Sequence, residues 1–231
     1  MNAVITGATK GMGHAITKAL VEKGYNVAVS ARKMADLESL KTELLSINPN
    51  IEIILFAGDF SLQGTASKFA WEIRQQWKQI NLLVNNLGMF TSSDMLTEED
   101  AVLMQQMQVN VFSAYSLTKG LVNELKASQG HIFFTSSIAG IAARKGAGAY
   151  SVSKYAVKGL ADNFREALRV YQVKVTTLIP GETLTASWEG TDIPPEKFIL
   201  PEDIANAVLG AINTSKGALI EEIKIMPINL F

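Results

Sequence analysis

Hydrophobic and polar positions alternate along the chain in two distinct rhythms. Short, nearly continuous apolar runs recur at 3–6 (AVIT), 26–30 (NVAVS), 51–57 (IEIILFA), 80–86 (INLLVNN), 131–137 (HIFFTSS), 173–179 (VKVTTLI) and 219–226 (LIEEIKIM). Runs of this length bounded by polar and turn residues predict strands. Longer amphipathic stretches lie between them. GHAITKALVEK stops before Gly24 and MADLESLKTELLSI stops before Pro49, both ordinary ends for a helix. The same pattern predicts one long helix over about 97–126, another over about 150–171, and a further one beginning near Pro201. Strands that alternate with helices build right-handed βαβ units, hence a mainly parallel sheet with helices on both faces. Ligands of such sheets sit beyond the carboxyl ends of the strands.

Composition narrows the function classes. The chain has 231 residues, 48% of them hydrophobic, which suits one α/β domain over 1–231, since no linker interrupts the alternation. Its 21 basic and 22 acidic residues nearly cancel and are interspersed, so no basic stripe is offered to nucleic acid. Without cysteine there are no disulfides, thiolate nucleophiles or zinc-thiolate sites, and His14 and His131 are far apart in sequence, so no metal site is expected. No apolar run approaches the ~18 residues of a membrane span, and no basic segment precedes AVIT. A soluble, cytoplasmic protein is expected, with neither membrane nor nucleic acid as partner.

Two stretches carry candidate chemistry. TGATKGMG follows the first strand and opens a helix, with glycines at 7, 11 and 13. Glycine there lets the backbone turn sharply and lets the free N–H groups of a helix start approach a pyrophosphate. The spacing is neither the common dinucleotide fingerprint nor the P-loop, and a purely structural turn stays open at this point. The second feature occurs twice: AYSLTK (114–119) and AYSVSK (149–154) each place a lysine four residues after a tyrosine, one helical turn on. Context separates the copies. Tyr150 begins a helix just after the strand HIFFTSS, and Ser137 closes that strand thirteen residues before it. Hydroxyl, phenol and ammonium thus converge on the ligand edge of the sheet. Tyr115 lies inside the long helix, where Phe112, Tyr115 and Val122 share a face, and is expected in the core or at a subunit interface.

With TGATKGMG, Asp59, NNLG (85–88), Asn110, Ser137, YSVSK (150–154) and PGETLT (180–185) in order, the chain resembles the short-chain dehydrogenases/reductases, in the compact single-domain branch that includes 3-oxoacyl reductases. The resemblance implies a single-domain, Rossmann-type doubly wound parallel sheet of about seven strands, with a short substrate loop at about 182–200. It implies a small-molecule carbonyl or alcohol substrate and a catalytic set of Asn110, Ser137, Tyr150 and Lys154. In that set Tyr150 is the general acid/base, Ser137 polarises the carbonyl, Lys154 lowers the tyrosine pKa and binds ribose hydroxyls, and Asn110 positions a water. The cofactor would be held by Gly7, Thr9, Lys10, Gly11, Met12 and Gly13, by Asp59 and Phe60 at the adenine, with Asn86 and Gly88 as the wall beside it. Tyr150, Lys154, Pro180, Gly181 and Thr183 complete that set, Thr183 near the nicotinamide carboxamide. A helix cap for Asp59 and a plain tight turn for Gly88 are the alternative roles. A catalytically silent nucleotide-binding sensor or scaffold of the same fold is the alternative function.

Some positions depart from the family pattern. Leu87 replaces the usual alanine of NNLG, a local adjustment beside the cofactor, and EEIKIMPINLF lacks the double glycine of many 3-oxoacyl reductases. Only about fifteen residues separate PGETLT from the helix near Pro201, so the substrate cover is expected to be small. The second strand ends VSARK without the acid that would bind a ribose 2′-hydroxyl. Arg32 offers a fork suited to phosphate oxygens, and Lys10 is expected to reach the same phosphate from the other side. NADP(H) is therefore expected over NAD(H). Apolar residues on several helix faces, among them Met104, Met107, Phe112, Tyr115, Val157 and Phe164, predict a homodimer or homotetramer through the helices at 97–126 and 150–171.

Overall fold

A computed structural model describes residues 1–185, 188 and 190–228. Seven strands, β1 (Asn2–Thr6), β2 (Asn26–Ala31), β3 (Ile53–Ala57), β4 (Leu82–Asn85), β5 (His131–Thr135), β6 (Lys174–Pro180) and β7 (Glu222–Ile225), form one sheet in the order β3-β2-β1-β4-β5-β6-β7. Every pairing is parallel, as the strand–helix alternation predicts. The strand order reverses between β1 and β4, which opens a crevice at their carboxyl ends. β1 and β2 each run one residue beyond their apolar runs, β6 is shifted by one residue, and the other four strands are shorter than theirs. The flanking apolar residues belong to the turns.

Both faces of the sheet are covered, and for that reason its central strands read as unbroken apolar runs. Alternate residues serve opposite cores. Val4, Leu83 and Phe134 face α3 (Thr65–Gln76), α5 (Ser113–Gly120) and α7 (Gly148–Arg169), packing with Phe69, Leu117 and Val157. Ile5, Val84 and Phe133 face α1 (Gly11–Glu22), α2 (Met34–Ile47) and α8 (Pro201–Ile212), packing with Leu20, Leu37 and Val208. His131 ends within the sheet, its ring 2.7 Å from the Thr176 hydroxyl, and burial first, then Lys174, pushes its pKa down to about 3. It is a neutral packing residue.

The single long helix expected over 97–126 is instead broken. α4 (Asp100–Met107) runs into a π-helical turn at Gln108–Phe112, then α5, then a break at Leu121 before α6 (Val122–Ser128). The wide turn is held from outside the helix. Asn110 Oδ1 accepts from the Met89 N–H at 2.7 Å, and its Nδ2 donates to the Met89 carbonyl at 3.1 Å and to Ser153 Oγ at 2.8 Å. Those bonds draw the Asn110 side chain toward β4 and α7, and a π-turn accommodates the extra residue. Near the second break Gly120 lets α5 approach α3 closely, since a Cβ there would stand 2.6 Å from Ala70 Cβ. Tyr115 correspondingly is 41% exposed and Phe112 50%, so their face is surface rather than core.

Candidate active site

The glycine loop joins the end of β1 to the start of α1. Gly7 and Gly11 adopt positive φ, 66° and 54°. A Cβ on Gly13 would collide with the Gly7 carbonyl and the Asn86 side chain. The loop's shape therefore depends on all three glycines. Lys10 precedes the helix without a side-chain cap, so the first N–H groups of α1 are left for a ligand. Thr9 is half-buried in the turn. Asn86 pins the loop to β4: its Nδ2 donates to the Thr6 and Gly7 carbonyls at 3.1 and 3.3 Å, and its backbone N–H donates to Thr6 Oγ1 at 3.1 Å.

Two cavities open along this edge. One, of about 390 Å³, is bordered by Met12, Asn86, Ser137, Tyr150, Lys154 and the turn Pro180–Thr183. The other, of about 230 Å³, lies beyond β2 and β3 and is lined by Ser30, Arg32, Asp59, Phe60 and Leu87. Gly88 and Met89 border both, which makes them one groove across the switch point. Two buried atoms on its walls, Asn86 Oδ1 and Ser30 Oγ, have no hydrogen-bond partner. A long ligand with phosphate and ribose groups fits such walls.

At the end of the groove beside β5, Ser137 lies two residues past the strand rather than on it. It caps a short 3₁₀ turn, its Oγ accepting from the Ala139 N–H at 3.2 Å. The Ser137 and Tyr150 hydroxyls share a hydrogen bond. Burial raises the Tyr150 pKa above that of a free phenol, and the Ser137 bond opposes this only in part. Lys154 is buried, its Nζ donating to the Thr135 carbonyl at 2.8 Å and lying 5.6 Å from the centre of the Tyr150 ring. Burial pushes its pKa down to about 8. In the protein alone burial governs the Tyr150 pKa, and the lowering expected from Lys154 is not among the causes of its shift. A Cβ on Gly88 would crowd Lys154 Nζ at 3.1 Å and touch Asn110 Oδ1 at 3.5 Å.

Other sequence expectations are redistributed. Asn110 is bonded to Ser153, whose Oγ donates to the Tyr150 carbonyl at 2.7 Å, so its side chain is tied to the first turn of α7. Asp59 is no helix cap, since α3 begins at Thr65 after Gly64. It closes an Asx turn, Oδ1 accepting from the Ser61 N–H at 2.9 Å, and that bond first, the Ser61 hydroxyl next and Arg32 least hold its pKa low. Phe60 packs edge-on against Phe69 and also lines the Arg32 cavity. Lys10 does not join Arg32 there. It opens on a separate depression with His14, Thr185 and Glu202. Leu87 sends its added bulk partly into the core below the groove.

The profile of the short chain dehydrogenase family matches residues 1–193. The chain belongs to the short-chain dehydrogenase family. As an oxidoreductase of that family it is 30% identical to a sepiapterin reductase from Chlorobaculum tepidum, over 97% of this chain and 95% of that one. It is 28% identical to dehydrogenase/reductase SDR family member 11 of Bos taurus, over 97% and 95%. An alcohol dehydrogenase from Thermococcus sibiricus complexed with 5-hydroxy-NADP superposes with a TM-score of 0.89 at 25% identity, covering 98% of this chain and 96% of that one. A metagenomic short-chain oxidoreductase in complex with NADP gives 0.85 at 28%, covering 100% and 98%.

Several residues at this dehydrogenase's site escaped the sequence reading. Thr185 lies over Gly11, its Cγ2 3.0 Å from where a Cβ on that glycine would be, whereas Thr183, which the sequence did mark, is buried and donates to the Gly181 carbonyl. Phe90 meets the Tyr150 ring edge-on at 5.1 Å. Arg144 and Glu182 face each other across the cavity. The substrate loop expected at 182–200 falls partly on 186, 187 and 189, and the C-terminal EEIKIMPINLF partly on 229–231, which lie outside the described residues.

Proposed function

We propose that this short-chain dehydrogenase transfers a hydride between NADP(H) and a carbonyl compound or secondary alcohol. The observation that carries the reading is the hydrogen-bonded Ser137–Tyr150 pair at the wall of a groove that begins in the glycine loop. When bound, the nicotinamide supplies or receives the hydride. In reduction the Ser137 hydroxyl holds the substrate oxygen and Tyr150 donates its proton to it. A tyrosine whose pKa is raised by burial is protonated at neutral pH, the state this step requires. Lys154 supplies an ammonium one turn along that favours the transient phenolate and can bind ribose hydroxyls. Asn110, through Ser153, keeps the Tyr150 turn in place.

Preference for NADP(H) over NAD(H) rests on Arg32, which borders the groove beside Ser30 where an acid would discriminate against a 2′-phosphate. Two solved relatives that contain NADP or 5-hydroxy-NADP support the choice. Self-association is part of the same reading. Met104, Phe112, Tyr115, Val152 and Tyr155 are each at least 41% exposed on α4, the π-turn, α5 and α7, an apolar surface suited to a second copy. No helix among the described residues is long and apolar enough to cross a membrane.

The test is NADPH-dependent reduction across a panel of aldehydes and ketones. Tyr150→Phe is expected to lose ~10²–10⁴ in kcat/KM with NADPH binding retained, and Tyr115→Phe to stay within a few-fold. Equal losses in the two folded variants, or NADPH binding without turnover of any carbonyl by the wild type, would overturn the reading.

A further inference from the structure

Arg144 and Glu182 approach the catalytic pair from opposite banks of the cavity. Arg144 belongs to the loop between β5 and α7, and its Nη1 lies 3.1 Å from Glu182 Oε1 in the turn after β6. Both banks are fixed by backbone bonds. The Ala147 N–H donates to the Arg144 carbonyl at 3.2 Å, and the Ile199 N–H donates to the Glu182 carbonyl at 2.9 Å. The Glu182 side chain is the less accessible, 13% exposed against 44% for Arg144. The carboxylate therefore sits inside the pocket and the guanidinium nearer its mouth. The remaining wall is largely apolar, with Met89, Phe90, Ile138, Ala147 and Trp188.

Resting on the hydride-transfer reading, we infer that the Arg144–Glu182 pair sets the charge selectivity of the substrate pocket, and that the substrate is an uncharged carbonyl compound with an apolar body. The reasoning is electrostatic. An anionic substrate drawn to Arg144 comes within a few ångströms of the Glu182 carboxylate, which repels it. A cationic substrate that seeks Glu182 has to displace Arg144 and leave the guanidinium facing it. Breaking a partly buried pair from either side is unfavourable, while an uncharged carbonyl, amide or hydroxyl can accept from the outer edge of the guanidinium with the pair intact. Lys154, the other charged group on this wall, is already held by the Thr135 carbonyl.

Three ketones of one shape test this: 4-acetylbenzamide (neutral), 4-acetylbenzoate (anionic) and 4-acetylbenzamidine (cationic). Ligand-observed NMR titrations with and without saturating NADPH give Kd whether or not turnover occurs, and kcat/KM is measured in parallel. The wild type is expected to favour the amide by about three- to ten-fold over either charged ketone. Glu182→Gln is expected to shift the preference toward the benzoate and Arg144→Met toward the benzamidine, each by a similar factor, while Arg144→Lys keeps the wild-type order. Either neutralising variant alone decides the matter. The same order in all proteins, a charged ketone preferred by the wild type, or no binding of the amide overturns the inference. Selective binding of the amide without reduction upholds the pocket's selectivity and sinks the hydride-transfer reading instead.

Discussion

Replacing Lys154 by methionine should stabilise the protein while removing its activity. A lysine held at about 8 rather than 10.5 is penalised by about 3 kcal/mol in its charged form, at ~1.4 kcal/mol for each pH unit. Methionine has a similar length and no charge to desolvate. It forfeits the bond from Nζ to the Thr135 carbonyl, about 1–2 kcal/mol including the unpaired acceptor left behind. The net gain at pH 7 is about 1–2 kcal/mol, or about 2–8 °C in Tm for a chain of this size. The pH dependence gives the sharper test. Below about 8, Lys154 is protonated in both folded and unfolded chains, so the wild type bears the whole penalty. Between about 8 and 10.5 the unfolded chain binds a proton that the folded chain does not, so wild-type stability rises with pH. The advantage of Lys154→Met therefore fades across that window and is gone above it. Thermal unfolding followed by circular dichroism at pH 7 and near pH 10.5, without NADPH, reads this directly, and NADPH-dependent turnover should fall steeply in the same variant. A variant less stable than wild type at pH 7, or one whose advantage does not change with pH, would refute the argument that desolvation governs this site.

Three other outcomes are expected. Arg32→Ala should weaken NADPH binding about ten-fold or more and NADH binding little, read as Kd for both cofactors; equal wild-type affinities for the two would exclude the assignment. Tyr115→Asp should dissociate the assembly, since Tyr115 stands on the exposed face with Phe112, and sedimentation of a monomeric wild type at micromolar concentration would show that no such assembly exists. Gly13→Ala should lower Tm, because the added methyl meets the Gly7 carbonyl and the Asn86 side chain at about 1–3 kcal/mol, and should also disturb NADPH binding; an unchanged melting curve contradicts the close packing of the loop.

What could be read from the sequence follows from how burial writes itself into pattern. A parallel sheet covered on both faces needs apolar residues at consecutive positions, so Val4 and Ile5, or Phe133 and Phe134, announce a central strand even though they serve different cores. The glycine loop was legible because Gly7, Gly11 and Gly13 each meet a backbone requirement no other residue meets as well. The broken helix was not. Nothing in QVNVF differs locally from an ordinary helix, and its π-turn exists because Asn110 is bonded to Met89 and Ser153, residues 21 and 43 positions away. Arg144 and Glu182 were equally silent, two charges 38 positions apart in loops whose approach depends on the register of β5 and β6. Lys10 lies in the glycine loop that the motif marks, yet it borders a depression with Thr185 and Glu202 and not the cavity that Arg32 lines.

The duplicated tyrosine–lysine motif shows where chemistry parts from pattern. Both copies are helical and both place the ammonium near the ring, 5.1 Å from its centre for Lys119 and Tyr115, 5.6 Å for Lys154 and Tyr150. Spacing alone therefore makes the pairs equivalent, and local propensity cannot tell them apart. The surroundings do. Tyr115 and Lys119 are exposed, where water screens the pair and leaves a phenol and an ammonium with nothing to act on. Lys154 is buried against the Thr135 carbonyl, and Tyr150 is hydrogen-bonded to Ser137 at the wall of the groove. Desolvation raises the pKa of the tyrosine and lowers that of the lysine, so two groups whose ordinary values nearly coincide are driven apart, a perturbation that the exposed pair lacks the burial to produce. The motif supplies two groups one turn apart, and the carboxyl end of β5 encloses one copy and leaves the other in water.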